Sequence, residues 1–154
     1  MKLARYQASG FMPVNEPPAT RRNLAATVTI VKGDALEDNA SGYLTNAATS
    51  FTALFMGIAS IDVVGDSSTK YVEYYPLDTK TQYSVPVIQN AVITRDAIGS
   101  CIDLSANGDI DISNTITEGI VFRIDDIDIS AEAIAANAYG YAIGHFEVLA
   151  TQAG

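Results

Sequence analysis

Nowhere along this chain does a helical apolar period persist for the roughly 10–12 residues that a stable helix requires. Short β-branched or aromatic runs recur instead, each closed by a cluster of Gly, Pro, Asn or Asp. Residues 26–31 (Ala-Thr-Val-Thr-Ile-Val) alternate and stop at Lys32-Gly33-Asp34. Asp38–Gly42 is a turn cluster with a short strand, Tyr43-Leu44-Thr45, after it. Ala53–Ala59 is a near-continuous apolar run, short enough for a buried strand. Lys70–Pro76 is aromatic and β-branched, and Gln82–Val87 alternates around Pro86, which suits an edge or a bulge.

The second half continues the pattern. Thr94–Gly99 has the caps of a single helical turn. Ile102 and Leu104 begin a strand that ends at Asn107-Gly108, a hairpin dipeptide. Asp109–Ser113 alternates strictly, Ile120–Ile124 is a further strand, and Asp126–Ser130 repeats the pentapeptide 109–113 letter for letter. Alanines dominate 131–138, and Tyr139–Leu149 returns to alternation. This spacing predicts a mainly β fold, a small barrel or sandwich of short strands with minor helix. At 154 residues a chain buries enough surface to need no metal or disulfide staple.

Residues 1–22 read differently. Gly10, Pro13, Pro17 and Pro18 interrupt any helix, so this stretch is expected to be an extended N-terminal arm on a single β-rich domain, 23–154. Tyr6, Phe11, Met12 and Val14 are exposed on such an arm unless they fold back on their own domain or bury against a partner. Charge marks the same division. Residues 1–33 carry five basic side chains and one acid, +4, and residues 34–154 carry four and seventeen, −13. The asymmetry suggests a docking arm, with a solvated acid-poor tail as the plainer alternative. The total of −9 argues against a nucleic-acid partner.

Site chemistry is sparse. The single cysteine, Cys101, allows no internal disulfide and no Cys-x-x-Cys pair. No apolar run approaches the ~20 residues of a membrane span or the length of a signal peptide, so no membrane partner is expected. The only histidine, His145, lies in an alternating strand, where a hydrogen-bonded or solvent-facing role is the simpler reading. Asp103, Asp109, Asp111, Asp125, Asp126 and Asp128 offer oxygen ligands for a hard cation, but without EF-hand spacing. Alternation makes them a solvated acidic face as readily. No catalytic residue, metal or cofactor is therefore assigned, and the expectation is a structural or interaction protein rather than an enzyme. The tyrosines at 71, 74, 75 and 83 fit an interface or a core equally well.

One set of short motifs has a likeness. Ile30–Leu36 with its Gly33-Asp34, Ser41-Gly42-Tyr43-Leu44, Phe55-Met56-Gly57-Ile58-Ala59 and the strand Tyr71–Tyr75 occur in that order. Together they resemble the head decoration proteins of tailed phages and, more distantly, the lambda head decoration protein. The likeness covers residues 24–76 and extends more loosely toward the C-terminus. Gly33, Asp34, Gly42, Leu44, Gly57 and Ile58 would be its structural positions. It implies a cement protein on the outer face of the virion head, made in the host cytoplasm. It further implies the major capsid protein as partner and trimers at three-fold positions. An arm would then lay Arg5, Tyr6, Phe11, Met12, Arg21 and Arg22 on the shell, and its removal should leave a folded domain that no longer binds. Residues 88–154 exceed the lambda type, as part of a larger single domain or as an added outward element. A head-fibre or tail component, or a host-surface binding module, is the alternative, and an unrecognised hydrolase the third.

Overall fold

The computed structural model describes residues 6–7, 9–39, 41–47, 50–66, 70–105 and 109–149. Five strands close a barrel in the order β2 (Thr20–Leu24), β5 (Leu44–Asn46), β4 (Ala35–Asp38), β6 (Phe55–Ala59) and β8 (Lys70–Pro76). A six-stranded sheet runs β1 (Met12–Pro13), β9 (Gln82–Pro86), β13 (Tyr141–Leu149), β12 (Gly119–Asp128), β10 (Cys101–Leu104) and β11 (Ile110–Thr115). A small ribbon pairs β3 (Thr29–Ile30) with β7 (Val63–Val64). Among the described residues helix is confined to α1 (Ala131–Ala136) and a 3-10 turn at Arg95–Ala97. The mainly β expectation holds. Among the described residues no helix is long and apolar enough to cross a membrane.

Two cores stack through the barrel wall. Leu24, Ile30, Leu36, Leu44, Ala59, Val72 and Tyr74 form one core together on the barrel side. Phe55, Ile58, Ala35 and Tyr75 project from the same wall strands into a second core, shared with the sheet. Strand β6 is thus buried on both faces, which is why Phe55–Ala59 reads as a continuous apolar run rather than an alternation, while Ala53 and Leu54 of the expected strand lie outside it and are exposed. Gly57 makes this possible. The β4–β6 register slips between Leu36 and Glu37, so Phe55 and Ile58 reach the same core although they are three residues apart. Gly57 has φ +147°, and a Cβ there would lie 2.0 Å from the Tyr75 carbonyl oxygen.

The second core is aromatic, and it holds all five phenylalanines of the chain. Phe146 is at its centre, with the rings of Phe11, Phe51, Phe55, Tyr83 and Phe122 centred 5.0–5.5 Å away. These are favourable tilted and edge-on distances. The second half of the chain is therefore joined to the barrel through one common core rather than appended to it.

This core corrects the expectation for the N-terminal segment. Residues 9–22 are extended, but they are built into the domain. Phe11 is 1% exposed, and its amide donates to the Gly33 carbonyl at 2.9 Å. Met12 and Pro13 pair with Ser84 and Tyr83 as the edge of the sheet, and Thr20–Leu24 pair with Tyr74–Lys70 in the barrel. Before it joins the sheet edge at Met12, the chain crosses the barrel turn at Gly33, on which Gly10 packs. Each would bring a Cβ to about 3 Å from the other's backbone, and each has positive φ.

Two strand assignments also change. The expected strand 26–31 shortens to Thr29–Ile30, because the chain turns at Ala25–Val28, with Thr27 at φ +67° and its amide donating to the Asp66 carbonyl. Pro86 sits inside the sheet rather than on an edge. The Val87 amide donates to Gly140, so strand alternation turns the missing donor of Pro86 to the other side, past the end of the two-residue β1. The dipeptide Asn107-Gly108 lies outside the described residues, and the strands flanking it, β10 and β11, pair antiparallel. The repeated pentapeptides do different work. The first opens edge strand β11, and the second runs from β12 into Ser130, which caps α1 by accepting from the Ala133 amide.

Three outcomes test this packing. Phe11→Ala is expected to cost about 3–5 kcal/mol in urea unfolding, the range for a buried aromatic. A chain beginning at residue 23 loses Phe11 and most of β2, and should show no cooperative unfolding transition. Gly57→Ala should destabilise far more than Gly42→Ala. Both have positive φ, but nothing lies within 4 Å of a Cβ at Gly42, so strain alone of about 1 kcal/mol is expected there.

Candidate functional site

The residues singled out as contacts fall into three groups. Arg5 lies outside the described residues. Tyr6, Phe11 and Met12 are engaged within the chain: the Tyr6 ring packs 5.0 Å from Tyr141 and its hydroxyl donates to Asp128. Arg22 donates from one nitrogen to Asp38 at 3.2 Å and to the Gly42 carbonyl at 2.8 Å, tying β2 to the turn before β5. Arg21 differs. Its side chain is 73% exposed, and its ion pair among the described residues, to Glu73, spans 3.8 Å, a contact worth little in water.

The structural motif positions all act within the barrel region. Asp34 accepts from the Val31 amide at 2.9 Å and from Asn46 Nδ2 at 3.0 Å, which closes the turn holding Gly33. Burial of this carboxyl outweighs those bonds and raises its pKa. Gly42 takes φ +85° in a turn whose Asn39 side chain accepts from Ser41 and Tyr43. Leu44 and Ile58 are fully buried.

Arg21 belongs to an outward face that sequence patterning did not isolate. Leu24 points into the barrel, so Asn23 and Arg21 point outward on β2. Tyr71 is the register partner of Asn23 on β8, and Glu73 is that of Arg21. On the other flank, Tyr43 precedes Leu44, the parallel partner of Leu24. Tyr43 and Tyr71 therefore flank Asn23 on the outside of three adjacent strands. Tyr71 is 65% exposed, whereas Tyr74, Tyr75 and Tyr83 of the same tyrosine tract are buried. Alternation along β8 was the available signal, and the two-sided burial of Tyr74 and Tyr75 obscured it.

Charge and apolar exposure divide by layer. Residues 20–76 carry four basic and six acidic side chains, −2, whereas residues 77–149 carry three and eleven, −8. Of eleven exposed large apolar residues among the described ones, six (Val31, Tyr43, Leu54, Ile61, Val64, Tyr71) belong to residues 20–76. The barrel layer is thus near neutral with exposed apolar groups, and the sheet layer is strongly acidic.

On the sheet, His145 is enclosed by acids. Its Nδ1 lies 2.8 Å from Asp125 Oδ2 and its Nε2 3.0 Å from Glu147 Oε1. Arg123 Nε donates to the other Glu147 oxygen at 2.7 Å, and Gln82 donates to Asp125. These residues are cross-strand neighbours on β9, β13 and β12, brought together by a register shift between Ile124 and Asp126. Burial disfavours the charged ring, but the hydrogen bonds to Asp125 and Glu147 and their charges outweigh it and raise the His145 pKa. The hydrogen bond from Arg123, then that from His145, lowers the pKa of Glu147. When the ring is protonated both nitrogens donate to carboxylates, and the cluster then works as a cross-strand clamp.

Three further acids of the sheet layer accept hydrogen bonds from neighbouring amides and hydroxyls. Asp103 accepts from the Phe51 and Leu104 amides, Asp111 from Ser113, and Asp126 from the Ile127 amide. Among the described residues no three His, Cys, Asp or Glu side chains converge as a metal site. Comparison with known proteins finds no family model and no curated protein that matches the chain.

The clamp has a pH signature. A histidine whose pKa is raised on folding adds stability that is fully present below its unfolded value of 6.5 and is lost as pH rises through the folded value. The difference in stability between the native chain and His145→Gln should therefore be largest at mildly acidic pH, a few tenths to about 1 kcal/mol, and shrink above neutrality. Urea titrations of both proteins across that range check it.

Proposed function

We propose that this chain is a capsid decoration protein of a tailed-phage head, a cement that binds the major capsid protein from outside. The order of the motifs over residues 24–76 supports the reading, since they build the barrel. The observation that carries it is the polarity of the two layers. A near-neutral layer with Tyr43, Tyr71 and Arg21 outward suits burial against a protein surface, where tyrosine and arginine are favoured. An acidic layer suits the solvent side, where like charge keeps particles apart. The contact moves accordingly from an N-terminal arm to the outer barrel face.

The mechanism is mass action. A protein that binds the assembled, expanded shell and not its separated subunits stabilises the shell by its binding free energy. Many copies, grouped as trimers at three-fold positions, then need only moderate affinity each. The Arg21 guanidinium would exchange its long pair with Glu73 for an acidic group on the shell.

Purified protein added to heads that lack it tests the reading. The native chain should saturate sites over the whole shell. Tyr71→Ser combined with Arg21→Gln, both on an exposed face, should leave unfolding nearly unchanged and weaken apparent binding by roughly 10-fold or more. Equal binding by the variant overturns the assignment of the face. Copies confined to one vertex support a head-fibre role instead, and absence of binding by the native chain overturns decoration itself.

A further inference from the structure

Asp109 stands beside Gly10 of the N-terminal segment, one residue before edge strand β11. Its Oδ1 is buried and has no hydrogen-bond partner among the described residues, while its carboxylate receives the Gly10 amide. Gly10 is the residue whose backbone packs on Gly33, one position before Phe11 enters the aromatic core. The carboxyl is therefore in contact with the crossing of the N-terminal segment over the barrel turn.

The corner gives that carboxyl little support when it is charged. Among the described residues the titratable group that faces it is Tyr141 from β13, itself beside Tyr6 of the N-terminal segment and Asp128 at the end of β12, and none of these three carries a positive charge. Tyr141 donates its hydroxyl to the Gln7 carbonyl, so it holds the same segment rather than Asp109. Ionising Asp109 places a negative charge in an apolar corner with one amide donor, which is costly. Protonation removes that cost.

We propose that Asp109 is a proton-sensitive latch on the N-terminal segment, tight over the crossing when the carboxyl is neutral and loosened when it ionises. Desolvation pushes its pKa up to about 6 from 3.8, against the opposing effect of the Gly10 hydrogen bond. The direction follows from linkage. An opened segment exposes a carboxyl of ordinary acidity, so opening releases a proton and becomes easier as pH rises from 3.8 to about 6, then levels off. The device is unrelated to the outer barrel face and does not depend on the decoration reading.

Hydrogen exchange of the full chain reads the latch directly. The Phe11 amide, bonded to Gly33, should lose protection by about 10- to 100-fold between about pH 4 and pH 7, after correction for intrinsic exchange. Asp109→Asn should flatten that dependence while the amides of β12 and β13 keep theirs. The same pH dependence in native and variant chains overturns the proposal. Should Asp109→Asn fail to fold, a carboxyl-carbon NMR titration of the native chain decides. A midpoint well above 4, followed by the Gly10 and Phe11 amides, supports the latch, and a midpoint near 3.8 with unmoved amides overturns it.

Discussion

The burial of Phe11 among Phe51, Tyr83, Phe122 and Phe146 is the contact on which the two layers depend. Besides it, the barrel and the sheet meet through the outer face of β4, β6 and β8 and through Phe51, whose amide donates to Asp103 of β10. With it, a segment that begins beside Tyr141 passes through the shared core, edges the sheet and becomes the first strand of the barrel. Two glycines let the backbones cross closely enough for the phenylalanine to reach its site. The Gly10–Gly33 contact is thus as much a part of the core as the rings are. It gives a physical role to Gly33, which the sequence marks only as a turn residue.

Much of the fold was legible in the chain. Alternation and turn chemistry place β5, β6, β8 to β11 and β13 within a residue or two, because strand periodicity and Gly/Asx turns are local properties, whereas β4 and β7 were not anticipated and β12 runs four residues past the expected Ile124. The fate of Phe11 was not legible, since an isolated phenylalanine among prolines carries no periodic signal. Its partners lie 40 to 135 residues away. Thr27 misled for a related reason: a β-branched residue at positive φ is held there by a distant carbonyl, that of Asp66, and no local preference announces it. The apolar run 53–59 hid a register slip, because a strand buried on both faces loses the alternation that would reveal a bulge.

The functional surface was legible only in part. The sequence shows a basic tract followed by an acidic one, and the boundary at residue 33 points to an arm. Folding redistributes that charge. Arg22 is consumed by Asp38, Arg21 joins the outer barrel face, and the acids concentrate in the sheet, where His145 and Arg123 draw Asp125 and Glu147 into one clamp. The polarity survives as a difference between layers rather than between a tail and a body. Tyr71 emerges as the exposed member of a tyrosine tract whose other members fill the two cores.

A cryo-electron microscopy map of heads bearing this protein tests the central claim most directly. The claim predicts density spread over the shell, with residues 20–76 against the capsid, Tyr71 and Tyr43 in the contact, and the β12–β13 face turned to solvent. A map in which the acidic sheet meets the shell, or in which the N-terminal segment has left its place beside Gly33 to lie on the capsid, would contradict it.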